Sequence, residues 1–268
     1  MEFEKKKRYD MQDLLNIMEI LRSPEGCPWD RAQTHKSVRA NFIEETYEAI
    51  EAIDTEDRPL LLEELGDVLL QVVLHSQIEK EAGGFTFEDV VDGVAQKLVL
   101  RHPHVFGDVH AGNEEEALKS WDAAKKASKD QKTVTEVLNS VSRALPALIR
   151  SEKVQKKASK AGFDWPDAQG ALEKVQEELA EVREAAALGN QEDSMEEVGD
   201  KLFASVNVAR FMHVEPEEAL TRSCDKFIRR FEKVEKMAQA KGICMETASL
   251  EELDALWDLV KAEEKRER

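Results

Sequence analysis

The chain carries one acidic pattern twice. Residues 177–200 read EELAEVREAAALGNQEDSMEEVGD, and residues 44–67 read EETYEAIEAIDTEDRPLLLEELGD. Glu44, Glu45, Glu48, Glu51, Glu63, Glu64, Gly66 and Asp67 each return 133 positions later, as Glu177, Glu178, Glu181, Glu184, Glu196, Glu197, Gly199 and Asp200. Residues three or four apart share a face of an α-helix, so Glu178 neighbours Glu181, and Glu197 neighbours Asp200. Leu172, Val175, Leu179, Val182 and Ala186 supply an apolar stripe with Glu178 at its margin. Met195, Val198, Leu202, Val206 and Ala209 supply a second. Only the stretch around Leu188-Gly189-Asn190-Gln191 separates the two, which makes the helices antiparallel neighbours and turns both carboxylate pairs into one cleft.

Grouped carboxylates repel one another and resist desolvation, so a cation is expected among them. An oxygen-only ligand set suits a hard ion, Mg²⁺ first, with Mn²⁺ as a substitute. A single EExxE in a chain with 56 Asp and Glu is more often a solvated face. Recurrence at one spacing in both halves, beside apolar stripes, singles these residues out as candidate metal ligands. Gly66 and Gly199 lie inside the second helix of each pair, just before the aspartate. Glycine there costs about 1 kcal/mol relative to alanine, which implies either room for a ligand or close helix packing.

The formal net charge of −18 argues against a nonspecific nucleic-acid or anionic-membrane surface. A phosphorylated substrate would need metal ions and local basic residues to approach. The cysteines Cys27, Cys224 and Cys244 are widely separated, which fits reduced thiols and not a zinc site or a disulfide scaffold. The start, MEFEKKKRYD, lacks an apolar signal core, and no apolar run is long enough to span a bilayer. The cytoplasm is the expected location.

No segment alternates as a strand does, so the expected class is all-α. Helices are expected over 11–21, 38–54, 60–82, 87–100, 114–126, 134–160 with a break near Pro146, the second acidic pair, 216–242, and 250 to the end. Cys27-Pro28-Trp29-Asp30 reads as a turn, and Arg101-His102-Pro103-His104 as a helix stop. The duplication extends past the acids: Trp29, Ala32 and Gln33 return as Trp165, Ala168 and Gln169, Lys97 and Arg101 as Lys226 and Arg230, and Trp121 as Trp257. Two tandem helical modules follow, 1–124 and 134–268, joined by a lysine-rich linker at 125–133. Each is expected to have a four-helix-bundle-type core that dimerises.

Lys226 and Arg230 lie one turn apart, and Lys174 lies one turn before Glu178; such cations either bind phosphate oxygens or form surface ion pairs. Trp121 and Trp257 either stack on a base or fill a core. Glu-x-x-His, HExxH, GxSxG and Walker patterns are absent from the sequence.

Together GCPWDRAQTH, the EETYE helix, ELGDVLLQVV and KFIRRFEKVE with its late tryptophan resemble the MazG family of nucleoside triphosphate pyrophosphohydrolases over nearly the whole chain. The resemblance implies an all-α, dimeric enzyme of tandem modules that hydrolyses an NTP to NMP and pyrophosphate with Mg²⁺, in nucleotide-pool house-cleaning. It places metal ligands at Glu178, Glu181, Glu197 and Asp200, with Glu177 and Glu196 beside them and Glu178 and Glu181 as catalytic carboxylates. It places nucleotide contacts at Lys174, Glu177, Lys226, Arg230 and Trp257. The matching first-half set is Glu44, Glu45, Glu48, Glu64 and Asp67, and the resemblance gives the second half the larger share of hydrolysis. Where related chains carry a basic residue a few positions before Glu197, this one has Asp193. The expected nucleophile is water, because no Ser, Cys or His recurs in both acidic motifs. The alternative is a nucleotide-sensing module without turnover.

Overall fold

The computed structural model describes residues 3–127 and 133–266. Thirteen helices and no strand occur among them, as the absence of alternation predicts. The chain divides into two compact units, Met1–Asp130 and Gln131–Arg268. Of the expected linker, 125–127 belong to a helix and 128–132 lie outside the described residues.

The first unit holds α1 (Met11–Arg22), α2 (Pro28–Ala32), α3 (Arg39–Asp54), α4 (Arg58–Ala82), α5 (Phe87–Arg101), α6 (Pro103–Phe106) and α7 (Glu114–Ala127). Two expectations are corrected here. Pro28 to Ala32 is a short helix, not only a turn, because Pro28 supplies the first helical φ and needs no amide partner. Pro103 likewise opens the short helix α6 where a stop and loop were expected.

α3 and α4 form the closest pair, with α1 and α5 packed on α4. Met18, Val38, Val73 and Leu74 make the core, joined by Leu14, Leu15, Leu69, Leu70, Ile78 and Phe87. Helix starts are written locally. Asp10 and Thr86 form capping boxes with Asp13 and Asp89, and Asp57 caps α4 by accepting from the Leu60 amide. Arg22 is buried and donates to Glu81 on α4 and to the carbonyls of Asp30 and Gln33, tying the Trp29 turn to the far end of the acidic pair. His35 Nδ1 lies 2.6 Å from His75 Nδ1, and His35 Nε2 lies 2.8 Å from Glu79 Oε1, which pins the segment before α3 onto α4.

The second unit holds α8 (Val134–Asn139), α9 (Ala147–Lys160), α10 (Ala168–Leu188), α11 (Gln191–Phe211), α12 (Pro216–Ala240) and α13 (Leu250–Arg266). The break before Pro146 is present between α8 and α9. α10 and α11 pair as α3 and α4 do, α9 packs on α11, and α12 pairs with α13. Val234, Ala238, Leu256 and Val260 form the core of that last hairpin, with Trp257 partly buried against it. Arg210 at the end of α11 donates to both oxygens of Asp164, in the turn before α10.

Candidate functional site

The connection sets the register of each acidic pair. α10 ends at Gly189, whose φ of 69° is the left-handed conformation glycine adopts freely, and Asn190 then caps α11 by accepting from the Glu192 amide. In a helical hairpin, residues equally far from the turn lie opposite one another. Glu181 is eight residues before Gly189 and Glu197 seven after Asn190; Glu178 is eleven before and Asp200 ten after. In the first unit Glu48 and Glu64 each lie eight residues from Glu56, and Glu45 and Asp67 each eleven.

The carboxylates converge as this register requires. Ligand oxygens of Glu178, Glu197 and Asp200 lie within 4.8 Å of one another, as do those of Glu177, Glu178 and Glu181. Glu178 belongs to both groups and is 4% exposed. In the first unit Glu45, Glu48 and Glu64 form the corresponding group, with Glu64 8% exposed. Asp67 stands outside that group, though its charge acts on Glu45 and Glu64. Glu44, the counterpart of Glu177, is exposed and also outside it. Glu196 is exposed and outside the groups, adding only its charge to Glu197.

One expectation about packing is corrected. Glu178 is not at the margin of a buried stripe: the buried line on α10 is Ala171, Glu178 and Ala185, seven residues apart, while Leu172 and Ala186 are exposed. The first unit repeats this line with Val38 and Ala52 buried and Glu45 half-buried between them. On α11 Val206 is buried, but Met195, Val198 and Leu202 are exposed. Small residues along the seam bring the backbones together, so the carboxylate between them is covered by the partner helix.

Electrostatics follow. Burial raises the Glu181 carboxyl above its ordinary value, and Glu178 adds to it. Burial and then Glu181 and Glu178 raise Glu197. In the first unit burial and Asp67 raise Glu45, and burial and Glu48 raise Glu64. Lys174 Nζ lies 2.7 Å from Glu177 Oε1 and 2.6 Å from Glu178 Oε1, and these bonds raise its pKa. Glu178 Oε2 and Glu64 Oε2 are buried without a hydrogen-bond partner. A buried carboxylate oxygen with no donor, amid carboxyls that burial and neighbouring charges raise above their ordinary values, fits an oxygen-seeking divalent cation. An added Cβ at Gly66 or Gly199 would meet nothing within 4 Å, so close packing within the unit does not explain either glycine.

The remaining nucleotide candidates lie on α12 and α13. Arg230 Nε donates to Glu264 Oε2 at 2.9 Å, and its guanidinium lies 5.9 Å from the Trp257 ring centre, beside Phe227. Lys226 is exposed on α12. α12 packs on α11, the helix that carries Glu197 and Asp200, and not on α10, which carries Lys174. The first unit repeats the cation–aromatic contact: Arg101 lies 5.6 Å and Lys125 4.4 Å from the Trp121 ring centre. Sequence reasoning missed the Arg22–Glu81 and Arg210–Asp164 clamps and the His35–His75 contact, because each joins residues more than thirty apart with no repeat signal between the halves.

Comparison with known proteins singles out the same stretches of the chain. A profile of the MazG nucleotide pyrophosphohydrolase domain matches residues 33–106 and 167–235, which contain both acidic pairs. The chain is 45% identical over 250 residues to the nucleoside triphosphate pyrophosphohydrolase/pyrophosphatase MazG of Thermotoga maritima, covering 93% of this chain and 95% of that one. It is 43% identical over 254 residues to the nucleoside triphosphate pyrophosphohydrolase of Escherichia coli K12, covering 94% and 97%. It is 47% identical over 264 residues to YabN, an uncharacterised protein of Bacillus subtilis, covering 98% of this chain but 54% of that longer one. With matched segments over both acidic pairs and relatives aligned nearly end to end, this chain belongs to the MazG nucleotide pyrophosphohydrolase family.

Proposed function

We propose that the chain hydrolyses nucleoside triphosphates to nucleoside monophosphate and pyrophosphate, with Mg²⁺ held by the carboxylates of the α10–α11 pair, in nucleotide-pool house-cleaning. The observation that carries this reading is Glu178: buried, central to both ligand groups of its unit, and with one oxygen lacking any donor. Glu178, Glu181, Glu197 and Asp200 would hold the ion, with Glu177 beside them; Mn²⁺ would serve in its place. Bound there, Mg²⁺ supplies charge neutralisation of the triphosphate and polarisation of the attacking water.

The side chains supply the rest. Glu181 as the carboxylate accepts the proton of the water that attacks the α-phosphorus. Lys174 offers an ammonium to the phosphate oxygens, and Lys226 is a further exposed cation for pyrophosphate. Arg230, which Glu264 holds through Nε and Nη2, has further N–H donors for a phosphate oxygen, and Trp257 offers a half-exposed ring for a base. Glu45, Glu48, Glu64 and Asp67 make the corresponding set of the first unit. A homodimer belongs to the same reading: Leu62, Leu65, Met195 and Leu202 on the acidic helices are exposed, as a face covered by a second chain would be.

The test is product analysis with ATP or dUTP and Mg²⁺. NMP plus pyrophosphate is expected, with loss of turnover in EDTA; NDP plus orthophosphate would refute the reaction. Nucleotide binding without turnover would favour the sensing alternative. Sedimentation of the full chain tests the dimer.

A further inference from the structure

Lys174 separates the two acidic sites more sharply than any carboxylate does. Its ammonium lies 2.6 Å from Glu178 Oε1 and 2.7 Å from Glu177 Oε1, so one oxygen of the central ligand already has a cation while the other has no partner. The corresponding position of the first unit, 133 residues earlier, is Asn41, with Glu44 and Glu45 at the same three- and four-residue spacing. The first-unit group therefore has no built-in cation at that place, and Glu64 Oε2 is left equally without a donor.

We infer that Lys174 is a place-holding cation that occupies Glu178 in the metal-free state and lowers the affinity of the second-unit site for a divalent ion until phosphate draws the ammonium away. This rests on the metal reading proposed above. A divalent ion on Glu178 puts three positive charges within a few ångströms, which weakens the bonds of the ammonium to Glu177 and Glu178. A triphosphate supplies new acceptors for the same ammonium, which has four methylenes of reach and one carboxylate-rich side to leave. Metal and nucleotide then bind the second unit cooperatively, since each removes a cost of the other. The first unit, with Asn41, binds a divalent ion without this condition.

The experiment is calorimetric or paramagnetic-resonance titration of Mn²⁺ alone into the full chain. A Glu48→Gln/Glu64→Gln background silences the first-unit group. In that background Lys174→Met is expected to tighten Mn²⁺ binding about tenfold, the scale of one charge-assisted hydrogen bond. Lys174→Arg, which keeps the charge, is expected to leave binding near that of the background. In a Glu178→Gln/Glu181→Gln background, Asn41→Lys is expected to weaken Mn²⁺ binding by a similar factor. Unchanged or weaker binding in Lys174→Met, or equal tightening in Lys174→Arg, overturns the place-holding role. Absence of any Mn²⁺ binding in the first background instead overturns the metal reading itself, so the two failures are told apart without measuring turnover.

Discussion

The α3–α4 and α10–α11 hairpins place their acids at the same distances from the turn, yet they bury different ones. In the first unit the buried carboxylate is Glu64, on the second helix; in the second unit it is Glu178, on the first. Glu178 has Lys174 on one oxygen, whereas Glu64 faces Glu48 and Asp67 with no cation bonded to it among the described residues. Duplication thus preserved the backbone register and let the charge balance diverge. A ligand set is inherited through spacing, but the state of that set depends on one neighbouring residue, lysine at 174 and asparagine at 41. The two hairpins also hold their entry turns with clamps of opposite polarity. Arg22 reaches Glu81 on α4, while Arg210 on α11 reaches back to Asp164.

The largest expected effect tests whether the difference is functional. Glu178→Gln should lower pyrophosphate release on the order of 100-fold or more, because it removes the carboxylate shared by both ligand groups. Glu45→Gln, its counterpart, should leave most of the activity. Equal losses in steady-state assays would show that the two sites work alike.

The clamps come next. Arg22→Met should destabilise the first unit by about 3 kcal/mol, since it strands Glu81 and two carbonyls around a buried position, and Arg210→Met should cost the second unit about 2 kcal/mol. Urea unfolding at pH 7 measures both. Burial alone would raise Glu81 and Asp164, but the bonds from Arg22 and Arg210 outweigh it and hold both carboxyls below their ordinary values. A depressed carboxyl contributes its stability above the unfolded pKa of about 4 and loses it as pH falls through the folded value. The gap between each variant and the wild type should therefore narrow as pH falls through the folded pKa of Glu81 or Asp164, less completely for Arg22→Met, whose bonds to the Asp30 and Gln33 carbonyls do not titrate. A gap for Arg210→Met that stays undiminished in acid would mean that packing, not charge, makes that clamp.

The smallest effect concerns charge balance without metal. In EDTA, Glu64→Gln should raise the melting temperature, because an amide of the same shape removes repulsion from Glu48 and Asp67. Glu178→Gln should raise it less, since Lys174 already offsets that charge. The reverse order in a thermal melt would remove the distinction between the hairpins.

Much of this was legible in advance, for identifiable reasons. The helices of both acidic pairs, the break before Pro146 and the start near Pro59 follow from local chemistry: glycine at 189, caps at Asp57 and Asn190, proline where an amide is not needed. The grouping of Glu178 with Glu197 and Asp200 across the hairpin, and with Glu181 one turn on, followed from equal spacing about a short turn. Lys226, Arg230 and Trp257 could be paired with their first-half counterparts, but repeats carry no distances, and the structure seats them on the α12–α13 hairpin, with Arg230 held by Glu264.

The order of acids and turns along the chain determined that there would be two all-helical units, each with one carboxylate cluster, because helical period and hairpin length act over a few residues. Tertiary structure decided which acid is buried, that Ala171 and Ala185 rather than Leu172 form the seam, and that distant arginines lock the turns. Those outcomes depend on how closely two backbones approach, and that distance is set by every side chain between them at once.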